Sequence, residues 1–194
     1  MNATVAKPEY TRNKIHPKKF ALWLGCVSIA MMFAAMTSAY MVRQAGGNWL
    51  EFALPPVFTL STVVIAASSS TLFGAGLAFK QGKDTLYKAL LFATFVLGLA
   101  FIGLQYEGWM TLKQSLGLPM GTNPSSDFIY VISMIHAAHV MGGIAALTVA
   151  LIHAFTLKRG ITPARKLRLD LTSTYWHFVD GLWVYLFVFF ALLT

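Results

Sequence analysis

The chain has 194 residues, of which 57% are hydrophobic and 11% are charged, and its formal net charge is +8. A soluble domain carries about 25% charged residues, so this composition excludes an ordinary soluble protein and indicates a membrane protein. The single cysteine, Cys26, excludes an internal disulfide, and we interpret it as a small apolar filler.

Five apolar runs in the chain are long enough to cross a bilayer, which requires about 20 mostly apolar residues per helix. None of them alternates apolar and polar residues as the strands of a membrane barrel do. We therefore predict an all-α polytopic membrane bundle, because helices satisfy their own backbone hydrogen bonds in lipid. The predicted transmembrane runs are residues 20–42, 54–79, 87–109, 128–155 and 171–193.

Basic residues concentrate at one set of span ends. Thirteen of the lysines and arginines lie in the N-terminal tail, around the second connection and around the fourth, against two on the opposite side. This asymmetry predicts a cytoplasmic N-terminus and an external C-terminus. Residues 1–19 are then a retained cytoplasmic tail, and residues 20–194 form one five-helix domain. Nucleic-acid binding is the weaker explanation of the charge, since the charge lies where membrane topology requires it.

Other polar and aromatic side chains in the spans suggest structural roles. The hydroxyl cluster at residues 68–71 is expected to bond to carbonyls one turn earlier. Glu107 is expected at the outer end of the third span, near lipid headgroups or another subunit. Trp109 suits the aromatic belt at the membrane boundary, and Trp176 and Trp183 suit either that belt or helix packing.

Four ionisable groups lie deep in the last two spans, where such groups are costly and usually face protein. They form two pairs with i,i+3 spacing, His136 with His139 and His177 with Asp180. Each pair occupies one helix face. Counting about 1.5 Å per residue from the span ends places His139 and His177 at similar depth, so the two pairs are predicted to face each other.

Three interpretations of these groups remain open. In the first, imidazole and carboxylate satisfy each other and hold the last two helices together, with Gly142 and Gly143 permitting close approach. The second is a proton path. The third is a haem or metal site with His139 and His177 as ligands, as in a stand-alone membrane b-type cytochrome. The sequence shows no nucleophile with its base and no cysteine metal cluster, so an enzyme acting alone is not predicted.

Several segments together resemble subunit III of the haem-copper cytochrome c oxidases. YWHFVD at residues 175–180, followed by Trp183, is similar to the terminal signature of that family. Three further segments match in the same order: the paired histidines followed by Gly142-Gly143, Gln105 with Glu107 in the preceding helix, and the hydroxyl positions 61, 62 and 68–70 of an earlier helix. The resemblance covers about residues 19–194.

The resemblance implies a non-catalytic subunit of a respiratory oxygen reductase in a bacterial cytoplasmic membrane. Such a subunit packs on subunit I, with subunit II and a small subunit IV nearby, binds phospholipid, and supports proton uptake and stability. Haem and copper are then expected in the partner subunits, with no cofactor on this chain. The residues implied as a structural polar cluster, or as a lipid or subunit contact, are Gln105, Glu107, His136, His139, Trp176, His177 and Asp180.

Two departures from the family pattern affect these expectations. Longer members have seven helices, whereas five are predicted here, as in shorter bacterial forms and in subunit III of quinol oxidases. Family members commonly carry a glutamate after the serine of the first span, but Ile29 follows Ser28 in this chain. The alternative functions are subunit III of a quinol oxidase and an accessory subunit of nitric oxide reductase.

Overall fold

The structure, a computed structural model, describes residues 16–156 and 162–193. This part of the chain contains five helices that are long and apolar enough to cross a membrane, and no strands, which confirms the predicted fold class. The helices are α1 (Pro17–Ala45), α2 (Pro56–Lys80), α3 (Asp84–Gln114), α4 (Pro124–Thr156) and α5 (Pro163–Leu193). Of the predicted tail, residues 1–15 lie outside the described residues, as does Thr194.

Proline begins α1, α2, α4 and α5. Proline suits the first helical position because a backbone N–H there would have no hydrogen-bond acceptor within the helix, so its absence costs nothing. In α1 the Nδ1 of His16 also accepts a hydrogen bond from the backbone N–H of Lys18 at 3.2 Å. The helices α1, α3 and α4 extend past their predicted runs at both ends, because polar residues continue the helix beyond its apolar part. Between α2 and α3 the chain turns sharply through Gly82, whose φ of +70° suits glycine.

Helix α5 lies at the centre of the bundle, in contact with α1, α2 and α4, while α3 packs against α2 and α4. The indole of Trp176 fills the space between α5, α3 and α4. A Cβ at Gly98 would lie 2.7 Å from its Cη2, and one at Gly143 would lie 2.9 Å from its Cε3. Only glycine at these two positions therefore leaves room for the buried ring.

Two contacts fix how α1 lies along α5. At the end of the bundle where both helices begin, the Nζ of Lys19 forms a salt bridge of 2.8 Å with Asp170. At the opposite end, Tyr40 and Gln44 both donate hydrogen bonds of 3.3 Å to the carbonyl of Leu193. The two helices are therefore parallel. We call the end where α1, α3 and α5 begin the basic end, because Lys80, Lys166 and other cations lie there.

Candidate functional site

A three-residue polar cluster joins α5 to α2. His177 Nδ1 and Ser69 Oγ are hydrogen-bonded at 2.9 Å, and the same hydroxyl donates to Asp180 Oδ2. Asp180 is buried, whereas His177 and Ser69 are half-buried. Because the Ser69 hydroxyl lies between imidazole and carboxylate, one short side chain of α2 engages both ionisable groups of α5.

The predicted partner helix of this pair was wrong. The sequence placed His177 and Asp180 opposite the histidines of α4, but their hydrogen bonds go to α2. A count of residues from the span ends gives height along the axis, and it does not give rotation about the axis. The rotation follows from Trp176, whose ring packs against Gly143 of α4 and so turns the neighbouring His177 toward another helix.

His136 occupies an aromatic enclosure rather than a polar pair. Its side chain is fully buried, and neither ring nitrogen makes a hydrogen bond to a described residue. Its ring centroid lies 6.1 Å from Phe33, 6.0 Å from Phe101 and 5.1 Å from Trp183. The expected imidazole–carboxylate contact at this position is therefore wrong, because the neighbours of the His136 ring are aromatic and Asp180 bonds to Ser69 instead.

His139 is satisfied within its own helix. Its Nδ1–H donates to the carbonyl of Ile135 at 2.8 Å, and its own carbonyl accepts a hydrogen bond of 3.1 Å from the hydroxyl of Tyr175. The ring of Phe33 lies 5.7 Å away, edge to face. His139 and His177, the two ligands of the haem interpretation, thus bond to separate partners: His139 to Ile135 of its own helix, and His177 to Ser69 of α2. Among the described residues no group of three or more His, Cys, Asp or Glu side chains is arranged to hold a metal ion.

Each of three buried or half-buried tryptophans donates its indole N–H to a hydroxyl on a neighbouring helix. Trp176 donates to Ser68 at 3.0 Å, and Trp183 donates to Thr62 at 3.0 Å, so α5 bonds twice more to α2. Trp109 of α3 donates to Ser133 of α4 at 2.9 Å. The indole N–H of Trp109 therefore links α3 to α4, and its place in the aromatic belt stays a prediction.

The hydroxyl cluster of α2 divides between two roles. Ser70 bonds to the carbonyl of Ala66 at 3.1 Å, as expected for a serine within a helix. Ser68 and Ser69 instead bond to α5, which the sequence did not predict. A signal for this role existed in the sequence, since Thr62 and Ser69 lie seven residues, about two helical turns, apart and so share one face.

Gln105 and Glu107 lie near each other in α3 but in different environments. Gln105 is fully buried, and its Nε2 donates to Ser61 Oγ at 3.0 Å, while its Oε1 has no hydrogen bond to a described residue. Glu107 is exposed on the surface of the bundle. The implied pair therefore separates into a buried link from α3 to α2 and a carboxylate available to the surroundings.

Comparison with known proteins supports one family across almost the whole chain. The family model described as cytochrome c oxidase subunit III matches residues 19–193. A probable cytochrome c oxidase subunit 3 from Nocardia farcinica is 31% identical over 177 residues, which cover 86% of this chain and 82% of that protein. A cytochrome bo(3) ubiquinol oxidase subunit 3 from Pseudomonas aeruginosa is 31% identical over 173 residues, covering 87% and 81%.

A third relative has a lower identity over a similar length. The probable quinol oxidase subunit 3 of Staphylococcus saprophyticus is 27% identical over 175 residues, covering 87% of this chain and 85% of that protein. The family match and the relatives indicate a subunit of an oxidase complex. The five apolar helices indicate a multi-pass membrane protein. The chain therefore belongs to the cytochrome c oxidase subunit III family.

Proposed function

We propose that this chain is a non-catalytic subunit III of a respiratory cytochrome c oxidase, which reduces oxygen to water. It packs directly on subunit I, with subunit II and a small subunit IV in the same complex, and haem and copper belong to those partners. The proposed location is a bacterial cytoplasmic membrane with the N-terminus inside, since Lys80, Lys166 and other cations lie at one end of the bundle. Binding of phospholipid, support of proton uptake and stabilisation of the complex complete the proposed role.

The observation that supports a non-catalytic role is that the buried polar groups of α5 form hydrogen bonds to another helix. His177, Asp180 and the indoles of Trp176 and Trp183 all bond to hydroxyls of α2. These groups are costly at membrane depth, and here they are engaged in holding helices together. In the first span Ile29 packs against the core, so any support of proton uptake works without a carboxylate at that position.

A quinol oxidase subunit III is the second candidate, and a specific observation favours it. The ubiquinol oxidase subunit of Pseudomonas aeruginosa is as similar to this chain, at 31% identity, as the cytochrome c oxidase subunit of Nocardia farcinica. The electron donor binds to other chains, so identity in this subunit does not separate the two candidates.

The test is affinity purification of the tagged chain from its native membrane in mild detergent. The preparation is examined by optical spectroscopy, peptide identification and oxygen uptake. Co-purified haem- and copper-bearing chains with uptake from reduced cytochrome c support the first proposal, and uptake from quinol selects the second. Peptides of a nitric oxide reductase would select that accessory role. A chain that arrives alone with stoichiometric haem is a stand-alone membrane cytochrome, and that result contradicts all three.

A further inference from the structure

A small recess lies between α3, α4 and α5 at the basic end of the bundle, and we call it the three-helix recess. Its volume is about 20 Å³, which is enough for a single sphere the size of a water molecule. Each polar side chain in its lining can donate a hydrogen bond. The residues that line it are Tyr87 of α3, Ala150, His153 and Ala154 of α4, and Arg165, Arg168 and Leu169 of α5.

The charge of the three-helix recess has one sign. Arg165 is 8% exposed and Arg168 is exposed, so one guanidinium is largely removed from water and the other remains at the surface. No Asp or Glu is among the described residues that line the recess. The described carboxylates of this end, Asp84 and Asp170, lie outside the lining, and Asp170 forms its salt bridge with Lys19. The wall therefore carries positive charge and no carboxylate.

Aromatic packing positions the buried guanidinium. The Cζ of Arg165 lies 5.6 Å from the ring centroid of Phe79, and the Phe79 ring lies 5.1 Å from that of Tyr87. A cation over an aromatic face is attracted by the ring quadrupole and keeps its full charge. The stacking therefore holds the guanidinium of Arg165 beside the phenol of Tyr87 without neutralising it.

His153 brings a hydrogen-bonding atom that has no use inside the bundle. Its Nδ1 is buried and makes no hydrogen bond to a described residue. Buried polar atoms without partners are costly, and in native structures protein, water or a ligand usually satisfies them. An anion can accept from an Nδ1–H as well as from a guanidinium or a phenol. A single anion in the recess therefore satisfies His153 and offsets the arginine charge together.

The size of the recess selects among anions. A chloride ion is slightly larger than a water molecule, and the long, exposed side chain of Arg168 has the rotamer freedom to admit it. A phosphate, whether free or on a lipid headgroup, carries four oxygens and does not fit a volume of about 20 Å³. Water fits, but it brings no charge to offset the guanidiniums. Volume and charge together favour a monatomic anion.

We propose that the three-helix recess binds one chloride ion. The ion is held by the guanidiniums of Arg165 and Arg168, the Nδ1–H of His153 and the hydroxyl of Tyr87. It joins three helices at an end of the bundle where their own cations repel one another. This role goes beyond the oxidase, lipid and proton roles proposed above, and it does not depend on the orientation of the chain in the membrane.

The first test varies the anion. The purified complex that contains this chain is heated in sodium chloride, sodium bromide, sodium gluconate or sodium phosphate at equal ionic strength, so that general screening is the same. The fraction of this chain that stays soluble is quantified by peptide mass spectrometry. Chloride and bromide are expected to raise its melting temperature in a saturable manner, as a ligand of the folded state does, whereas gluconate and phosphate are not.

The second test changes the recess. Arg168→Gln removes one charge-assisted hydrogen bond, so the chloride concentration that gives half of the shift should rise by about tenfold or more. Lys166→Gln is the matched control, because Lys166 is an exposed cation of the same helix that does not line the recess. It should keep the chloride dependence of the parent. His153→Leu removes the imidazole and should also weaken the response.

Bromide allows the ion to be located directly. Anomalous diffraction from crystals of the complex grown in sodium bromide should show a peak between Tyr87, His153 and Arg168. Equal stabilisation by chloride and gluconate would overturn the proposal, as would a chloride response that is unchanged in Arg168→Gln. Stabilisation by phosphate equal to that by chloride would identify a site for an oxyanion or a lipid phosphate, and it would overturn the proposal as well.

Discussion

The indole N–H of Trp176 donates to Ser68 Oγ at 3.0 Å, across the interface between α5 and α2. Seen along α5, the same residue also packs its ring against the backbones of α3 and α4 at Gly98 and Gly143. One side chain of the central helix therefore touches three other helices, by a hydrogen bond on one side and by close packing on the others.

Removing the Ser68 hydroxyl should destabilise the bundle. Ser68→Ala leaves the buried indole N–H of Trp176 without its acceptor, which costs about 1–3 kcal/mol in the free energy of unfolding. The matched control is Ser70→Ala, because Ser70 is exposed and bonds only to its own helix. Unfolding in a denaturing detergent titration should separate the two variants. Equal stability of the two would show that the indole hydrogen bond contributes nothing.

Adding a methyl group at Gly98 should also destabilise the bundle. The new Cβ of Gly98→Ala would lie 2.7 Å from Trp176 Cη2, and such overpacking costs about 1–3 kcal/mol. Phenylalanine lacks the outer atoms of the indole, so the cost should be smaller in a Trp176→Phe background. A double-mutant cycle measures this coupling directly. Strict additivity of the two changes would place the strain elsewhere.

Ser69→Ala should destabilise more than loss of an ordinary hydroxyl, because His177 and buried Asp180 lose the same partner together. We expect a loss of about 1–3 kcal/mol for the orphaned carboxylate alone, and Ser69→Thr should restore most of it. Stability and assembly of the complex are measured together. Asp180→Asn tests the carboxylate separately, and a variant that assembles and melts like the parent would show that its negative charge does not hold the helices.

His136→Phe should change stability little, by less than about 1.5 kcal/mol. Neither ring nitrogen of His136 bonds to a described residue, and the ring already lies among Phe33, Phe101 and Trp183. Replacing a polar ring without partners by an apolar one of similar shape is close to a volume-conserving change. His177→Phe is the contrast, since it removes the bond to Ser69 and should destabilise. A large loss in His136→Phe would indicate a polar role for that imidazole.

Hydropathy was sufficient to predict the number of helices and their class, because the bilayer imposes a minimum length on every apolar run. Helix ends were less accurate: α4 begins at Pro124, four residues before its predicted run, since polar residues extend the helix beyond its apolar part. The positions of His177 and Asp180 on one face of α5 were also predictable from their spacing.

The partners of these residues were not predictable in the same way. Which neighbour a helix face meets depends on its rotation, and here the rotation is set by bulky Trp176 fitting against glycines of two other helices. The sequence therefore indicated that His177 and Asp180 were paired, but it could not show that Ser69 was the group between them.

The bonds between α2 and α5 also constrain the order of events during synthesis. Ser68 and Trp176 are 108 residues apart in the chain, and Thr62 and Trp183 are 121 apart. At about 5–20 residues per second, a ribosome needs roughly 5–20 s to make the intervening chain. During that interval α2 is already in the membrane with its hydroxyls awaiting the last helix. The nascent protein therefore passes through a stage in which four helices have been made and the face of α2 that meets α5 is still open.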